Sequence, residues 1–173
     1  MRAIGSYASA EHFLSRRIKF AESEIASVAL ATSGIPLAAV GLWGSNEIKI
    51  VSSSDLQVIE TIVEASLPRS MVIRPDPADT ADDSLSLLVG NGDGSVTTRT
   101  LRFEDPLLSI GERNVLAMGK TPVQLVASSF NAQASQVLCL SDRVSILYEE
   151  QERLSRSALN LSVSLMQSAP RRS

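Results

Sequence analysis

The segment Leu85–Phe103 constrains the fold of this chain more than any other stretch of its sequence. It reads LSLLVGNGDGSVTTRTLRF, so an apolar run leads through Gly, Asn and Asp residues into a Val- and Thr-rich run. The central cluster, Gly90–Gly94, suits a tight reversal, because glycine adopts positive φ angles without strain and Asn and Asp tolerate them. The segment is therefore predicted to form a β-hairpin.

Two other segments repeat this layout. Leu37–Ser52 turns at a Gly-Ser-Asn sequence, and Ser135–Glu150 turns at Ser141–Arg143. The three segments begin at residues 37, 85 and 135, which are 48 and 50 residues apart. A repeat of about 40–50 residues in a chain of strands is typical of the four-stranded blades of a β-propeller. The predicted fold class is all-β: a partial β-propeller, an incomplete ring of about three four-stranded antiparallel blades.

Alternating apolar residues between turn residues predict the individual strands. The first blade is predicted to contain Ser27–Thr32, Leu37–Trp43, Glu47–Ser52 and Val58–Val63. The second is predicted to contain Met71–Arg74, Leu85–Val89, Ser95–Phe103 and a strand around Asn114–Met118. The third is predicted to contain Val123–Ser128, Gln136–Leu140, Val144–Tyr148 and Ala158–Leu165.

Two segments leave alternatives open. Charges at helix-like spacing in Glu149–Asn160 make a short helix a competing prediction there, and Ala8–Phe20 fits either a short helix or part of a strand pair. The predicted organisation is an uncertain segment at 1–23, blades over 24–166 (about 24–65, 70–119 and 122–165) and a tail at 167–173.

Composition excludes several function classes. The 173 residues are 44% apolar and carry a net charge of −3, so a nucleic-acid surface built on bulk positive charge is not expected. The short basic runs at 16–19 and 171–172 are interpreted as solvated. The longest apolar run, Ile35–Trp43, is far shorter than the roughly 20 residues that span a bilayer, so no membrane partner is expected. The first residues lack the apolar core of a secretion signal.

Candidate chemical groups are few, and no catalytic, cofactor-binding or metal-binding residue is predicted. His12 is the single histidine, and Asp79–Asp83 belongs to a Pro- and Asp-rich loop, RPDPADTADDS, that is predicted to be exposed. Asn91–Ser95 has only part of the spacing of a calcium loop. Cys139 is interpreted as a buried thiol rather than a nucleophile. Trp43 is interpreted as blade core rather than as a ligand-stacking residue.

Four motifs in register carry a resemblance to a known family. They are Gly41-Leu42-Trp43 before an Ile/Val strand, Gly92-Asp93-Gly94, Gly119 with Pro122, and Ser141-Asp142-Arg143. Over roughly Ile18–Met166 the chain resembles the large subunit of the damaged-DNA-binding protein, in the family that also contains cleavage/polyadenylation and splicing-factor scaffolds. Val144 departs from the pattern, which has proline after Ser-Asp-Arg, and Asn91 replaces an apolar residue.

This resemblance implies a place in the second of three propellers of such a protein. In the DNA-damage branch, which Trp43 and Ser141–Arg143 fit best, that propeller docks the cullin of a ubiquitin ligase, and the other two hold substrate receptors. The implied function is that of a non-catalytic, WD-like β-propeller scaffold in the DNA-damage response, found in the nucleus and cytoplasm. The alternatives are a scaffold of mRNA cleavage/polyadenylation or splicing, and a small unrelated all-β enzyme.

An incomplete ring has a physical consequence. Its first and last blades each present an apolar face, and leaving several hundred Å² of such a face in water forfeits several kcal/mol at ~25 cal/mol/Å². Exposed patches of that size mark partner or aggregation surfaces. The expectation is therefore that the chain is a fragment of a longer scaffold, whose remaining blades are among its partners.

Overall fold

The computed structural model describes residues 23–31, 34–76, 84–104, 107–128, 136–150 and 153–159. Strands are the only regular secondary structure in these ranges, and the predicted all-β, partial-propeller fold is confirmed. The strands are β1 (Ile25–Leu30), β2 (Leu37–Leu42), β3 (Glu47–Ser52), β4 (Val58–Val63), β5 (Pro68–Pro75), β6 (Ser84–Asn91), β7 (Ser95–Glu104), β8 (Leu107–Ile110), β9 (Asn114–Ala117), β10 (Gln124–Ser128), β11 (Gln136–Leu140), β12 (Val144–Glu150) and β13 (Arg153–Ala158).

The strands form three antiparallel sheets in chain order. The first sheet has the order β1-β2-β3-β4, and the third has the order β10-β11-β12-β13. The middle sheet has the order β5-β6-β7-β8, and β9 also pairs with β7. The first strands of the sheets are neighbours, since β1 packs against β5 and β5 packs against β10. Each sheet is therefore one blade, and the middle blade separates the other two.

The hairpin predicted for Leu85–Phe103 is confirmed as β6 and β7. Leu88 pairs with Thr98 and Gly90 with Val96, which leaves a short turn between the strands. The Asp93 carboxylate accepts hydrogen bonds from the Ser95 backbone N–H at 3.0 Å and from its hydroxyl at 2.7 Å. The side chain of the turn therefore fixes the start of the return strand.

Two apolar cores hold the three sheets together. Both β2 and β6 are buried at every residue, so β2 is a continuous apolar run, whereas β6 also buries the polar residues Ser84, Ser86 and Asn91. The first inter-sheet core joins the first and middle sheets through Ala29, Leu37, Ala39, Ile48, Ile50, Ile62, Met71, Ile73, Leu85, Leu87, Val89 and Leu101. The second inter-sheet core joins the middle and third sheets through Val72, Leu88, Val96, Met118, Val123, Leu125, Val137, Cys139 and Leu147.

The outer edge of the middle sheet differs from the prediction. A strand was expected around Asn114–Met118, where β9 lies, but β8 at Leu107–Ile110 also pairs with β7. The ten residues of β7 are long enough for both four-residue strands to lie along the same edge. Between them, the Gly111 N–H donates to the Thr100 carbonyl at 2.8 Å, and a Cβ at Gly111 would lie 3.3 Å from the Thr100 Cβ. Glycine therefore lets the chain cross close to β7.

The last strand of the third sheet corrects two predictions. The helix considered for Glu149–Asn160 is wrong, because β13 occupies Arg153–Ala158 and pairs with β12 from Glu150↔Arg153 to Ser145↔Ala158. The fourth strand therefore precedes the predicted Ala158–Leu165, whose residues from 160 onward lie outside the described ranges. Leu154 packs against the second inter-sheet core, and this burial, together with the ladder, outweighs the helix-like charge spacing.

The loop at 74–84 was predicted to be exposed, and this prediction is wrong for three of its four described residues. Arg74, Asp76 and Ser84 are buried, and the Thr100 hydroxyl donates to the Asp76 carboxylate at 3.2 Å. The central residues of that loop, including Asp79–Asp83, lie outside the described ranges, as do Ala8–Phe20 and His12. No helix long and apolar enough to span a membrane occurs in the part of the chain that the structure describes.

Candidate protein-interaction site

Turns and links from all three sheets meet at one end of the molecule. We call this the turn surface and define it as residues 43–46, 64–67, 91–94, 118–123 and 141–143. The Gly92 N–H donates to the Leu67 carbonyl at 2.9 Å, and the Met118 N–H donates to the Gly94 carbonyl at the same distance. The Lys120 N–H donates to the Asp142 carboxylate at 2.8 Å. Successive turns and links are therefore tied to one another, twice through backbone groups alone and once through a side-chain carboxylate.

Three of the four family motifs are in direct contact on this surface. Gly94 has a φ of 87°, and a Cβ there would lie 2.4 Å from the carbonyl oxygen of Gly119. A Cβ at Gly119 would lie 2.6 Å from Oδ2 of Asp142. Glycine is required at both positions, because any side chain would displace backbone or the Asp142 carboxylate. The spacing of these motifs thus reflects one packed junction between the middle and third sheets.

The two departures from the family pattern both lie at this junction. Asn91 is buried, and its side-chain Nδ2 donates to the Ser95 hydroxyl at 3.1 Å, while its Oδ1 accepts no hydrogen bond from the described residues. The backbone carbonyl of Asn91 accepts the Val123 N–H at 3.0 Å. Val144 is also buried and pairs with Leu140 at the start of the β11–β12 hairpin.

Asp142 caps the link between the middle and third sheets. The hydrogen bond from the Lys120 backbone N–H, supported by the Thr121 side chain, lowers the pKa of Asp142 below its usual value. Beside it, the Ser141 hydroxyl donates to the Thr121 carbonyl at 2.9 Å. The turn and the link are therefore held together by polar side chains at the surface.

Trp43 corrects the prediction that it belongs to the blade core. The side chain is 50% exposed, and the guanidinium carbon of Arg69 lies 4.3 Å from the centroid of its ring. Trp43 follows the last residue of β2, so it lies in the turn, outside the in–out alternation that buries the strand. This cation–π pair joins an exposed ring on the turn surface to the half-buried guanidinium of Arg69, which lies just beyond that surface at the start of β5.

A buried carboxylate lies beneath the exposed residues of the turn surface. The Glu64 side chain is 0% exposed, and its two oxygens lie 3.2 Å from Nε of Arg99 and 3.0 Å from Nε of Arg113. Glu64 follows β4, whereas Arg99 lies on β7 of the middle sheet and Arg113 lies in the link between β8 and β9. The backbone N–H of Glu64 also donates to the Asn46 carbonyl at 2.8 Å. One residue therefore joins the first sheet, the middle sheet and the turn that carries Trp43.

The outward face of the first sheet carries exposed apolar side chains. In the β1–β2 ladder, Ala29 pairs with Ala39 inside the first inter-sheet core, so Val28 and Leu30 point to the opposite face. The exposed apolar residues of this sheet are Ile25, Val28, Leu30, Val58 and Val63. The exposed fraction reaches 62% at Leu30 and 68% at Val63. The middle of the same face is buried, because Val40, Leu42 and Val51 form a third apolar cluster. The five exposed residues therefore lie on the outer strands β1 and β4, where together they mark a contact surface.

The third sheet has a comparable outward face. Val137 and Leu147 pair inside the second inter-sheet core, so their neighbours Leu138 and Ile146, which also pair, lie on the other side. Val126 pairs with Leu138, and both Val126 and Tyr148 are exposed. The two outer sheets therefore both offer apolar surface on the side away from the middle sheet.

The remaining candidate residues that the structure describes, Cys139 and Asp93, are held in the fold by burial or by hydrogen bonds. Cys139 is buried in the second inter-sheet core, as predicted, and burial raises the pKa of its thiol to about 11. Asp93, in the partial calcium loop, accepts hydrogen bonds from Ser95. Within the described ranges, no three His, Cys, Asp or Glu side chains are grouped so that they could hold a metal ion.

Comparison with known proteins gives the family of this three-sheet arrangement. Residues 8–169 match the sequence profile of the RSE1/DDB1/CPSF1 second beta-propeller. The chain belongs to this family. Its similarity to DNA damage-binding protein 1 of Oryza sativa subsp. japonica is 29% identity over 127 residues, which is 72% of this chain.

A solved structure shows the same fold. The complex of the fission yeast SREBP-SCAP binding domains matches 80% of this chain with a TM-score of 0.53 and 16% sequence identity. The chain spans 11% of the rice protein and 38% of the fission yeast chain. The family assignment is incompatible with the alternative of an unrelated all-β protein, and it supports a role as a β-propeller scaffold.

Proposed function

We propose that this chain is part of a non-catalytic scaffold of the DNA damage-binding protein 1 type and that it docks the cullin of a ubiquitin ligase. The family match supports the scaffold role, and the similarity to DNA damage-binding protein 1 of rice favours this branch over the RNA-processing ones. The observation that carries the proposal is the exposed Trp43 ring on the turn surface, stacked with the half-buried Arg69 at the start of β5. The proposed location is the nucleus and cytoplasm, where imaging of the tagged full-length protein would test it.

Trp43 and Arg69 have the chemistry of a protein-docking centre. Tryptophan and arginine are the residues most enriched among those that dominate binding energy at interfaces. The stacked guanidinium orders both side chains before a partner binds, which reduces the entropy lost on association. Hydrogen bonds tie the Trp43 turn to its surroundings, from the Trp43 N–H to the Glu24 carbonyl and from the Glu64 N–H to the Asn46 carbonyl.

The outward apolar faces have a separate role in this proposal. The first and third sheets each bury one face against the middle sheet through an apolar core, and their other faces carry exposed residues of the same kind. Further blades of a full-length scaffold would cover these faces as the middle sheet covers the inner ones. The turn surface, at the end of the sheets, would stay accessible in the completed propeller.

The experiment is capture of a purified cullin by the full-length protein. Trp43→Ala should weaken binding by roughly 10-fold or more, because a central interface tryptophan commonly contributes at least 2 kcal/mol. Arg69→Gln should weaken it less, since the tryptophan remains. Arg102→Gln is the matched control, because Arg102 is exposed on β7 and lies away from the turn surface.

Three outcomes are informative. Cullin capture that is lost in Trp43→Ala and retained in Arg102→Gln supports the proposal. Capture that is equal in both variants would show that the cullin binds elsewhere on the protein. Recovery of polyadenylation or splicing subunits, without a cullin, would favour the RNA-processing scaffold instead.

A further inference from the structure

A groove opens beside the junction of the middle and third sheets. Its volume is about 370 Å³, at the lower end of the range for small-molecule sites, which is roughly 300–1,000 Å³. Its walls come from the end of the middle sheet, the β11–β12 turn, and strands β12 and β13. The lining residues are Met118, Asp142, Arg143, Ser145, Arg156 and Ala158.

Two guanidinium groups line this groove. Arg156 is held in place, because its Nη1 donates to the carbonyls of Ala117 at 3.0 Å and Met118 at 3.2 Å. Its Nε and Nη2 donors are not used by the described residues. Arg143 is exposed. Among the side chains that the structure describes, neither Arg143 nor Arg156 forms an ion pair, whereas Arg99 and Arg113 both pair with Glu64.

Asp142, the single carboxylate in the lining, does not accept hydrogen bonds from Arg143 or Arg156. Oδ2 of Asp142 accepts the Lys120 N–H at 2.8 Å, so this carboxylate is turned toward the link between the sheets. Ser145 adds a hydroxyl to the wall of the groove, although the residue is almost fully buried. With two arginines and one aspartate, the lining carries a net positive charge.

We propose that this groove binds an oxyanion, a phosphoryl or carboxylate group, between Arg143 and Arg156 with Ser145 as a further donor. Arginine presents a planar set of N–H donors that matches the paired oxygens of such groups. The two carbonyls that anchor Arg156 orient its remaining donors before the anion arrives. Met118, Asp142 and Arg143 of this groove belong to the turn surface, but neither Trp43 nor Arg69 lines it, so the proposal does not rest on the residues invoked for cullin docking.

The test is a titration of the full chain with inorganic phosphate, followed through the arginine Nε–H signals in ¹H–¹⁵N NMR spectra at low salt. A parallel titration uses acetate. Saturable shifts of the Arg156 signal are expected. Arg143→Gln should weaken phosphate binding about 10-fold, because it removes one charge-assisted contact without disturbing a hydrogen bond of the fold. Arg102→Gln, an exposed arginine outside the groove, should leave the affinity unchanged.

The outcomes separate the two anion sources and decide the proposal. Saturation by phosphate alone supports a phosphoryl site, and saturation by both ligands at similar concentrations supports a carboxylate-compatible site. Shifts that increase linearly without saturation, or an equal effect of Arg143→Gln and Arg102→Gln, would overturn the proposal. Ser145→Ala provides a second variant, which should weaken binding by a few-fold without removing charge.

Discussion

Replacement of Glu64 by Gln tests how the first and middle sheets are joined. The carboxylate accepts from Nε of Arg99 at 3.2 Å and from Nε of Arg113 at 3.0 Å, and it is completely buried. The side chains of Arg99 and Arg113 are 17% and 33% exposed, so solvent only partly screens the two contacts. Glutamine keeps the shape but offers one oxygen, and its amide N–H₂ group must face a guanidinium.

The expected loss follows from these contacts. A hydrogen bond to a charged group contributes about 1.5–3 kcal/mol, and removal of one partner of a buried ion pair costs about 3–5 kcal/mol. Because one oxygen remains in Glu64→Gln, we expect the free energy of unfolding to fall by about 2–4 kcal/mol. For a chain of this size, the melting temperature should then drop by roughly 5–15 °C.

Urea denaturation, followed by far-ultraviolet circular dichroism, measures this change. Glu112→Gln is the matched control, because Glu112 is exposed and precedes Arg113 directly; its effect should stay within about 0.5 kcal/mol. In a double-mutant cycle, Glu64→Gln should cost less when Arg113→Gln is already present. A free energy of unfolding for Glu64→Gln equal to that of the control would refute this account of the junction.

Three further predictions concern single residues. Gly94→Ala should lower the free energy of unfolding by about 2 kcal/mol or more in urea titrations, because residue 94 has a positive φ and the added Cβ would lie 2.4 Å from the Gly119 carbonyl oxygen. A change below about 0.5 kcal/mol would contradict this. Burial raises the pKa of Cys139 to about 11, so an aromatic disulfide reagent at pH 8 should label it only in denaturant, and rapid labelling of the folded chain would contradict this. The pKa of Asp142 is lowered in the folded state, so its carboxylate stabilises the fold at pH values above the unfolded pKa, which is near 3.8. This contribution is lost as the pH falls through the folded pKa. The stability difference between wild type and Asp142→Asn should therefore be constant near neutral pH and shrink as pH falls below about 4; a difference that stays constant or grows on acidification would contradict this.

The sequence predicts the repeated hairpins well because each is a local structure. The turn at Gly90–Gly94 and the strands beside it depend on neighbouring residues, so residue order alone places them. The Glu149–Asn160 segment shows the limit of such reasoning. Its charge pattern fits a helix, yet its ladder with β12 and the burial of Leu154 make it a strand. Contacts with other parts of the chain therefore decide the secondary structure of this segment.

The candidate site is harder to predict than the fold. Trp43 follows an apolar strand, and only the position where β2 ends shows that its ring is exposed. Glu64 is 35 and 49 positions away from its two arginines, and its neighbours give no sign of burial. The motifs at Gly94, Gly119 and Asp142 are visible separately, but their mutual contact appears only in three dimensions.

The divided rim of the middle sheet limits how the protein can self-associate. An uninterrupted outer strand would give another chain a long row of unsatisfied N–H and C=O groups to extend. Here β8 and β9 are four residues each and are separated by the crossing at Gly111, so neither presents a long template. Fibril-like growth through that rim is therefore disfavoured, which leaves the six-residue end strands β4 and β13 and the exposed apolar faces of the outer sheets as the surfaces through which copies could aggregate.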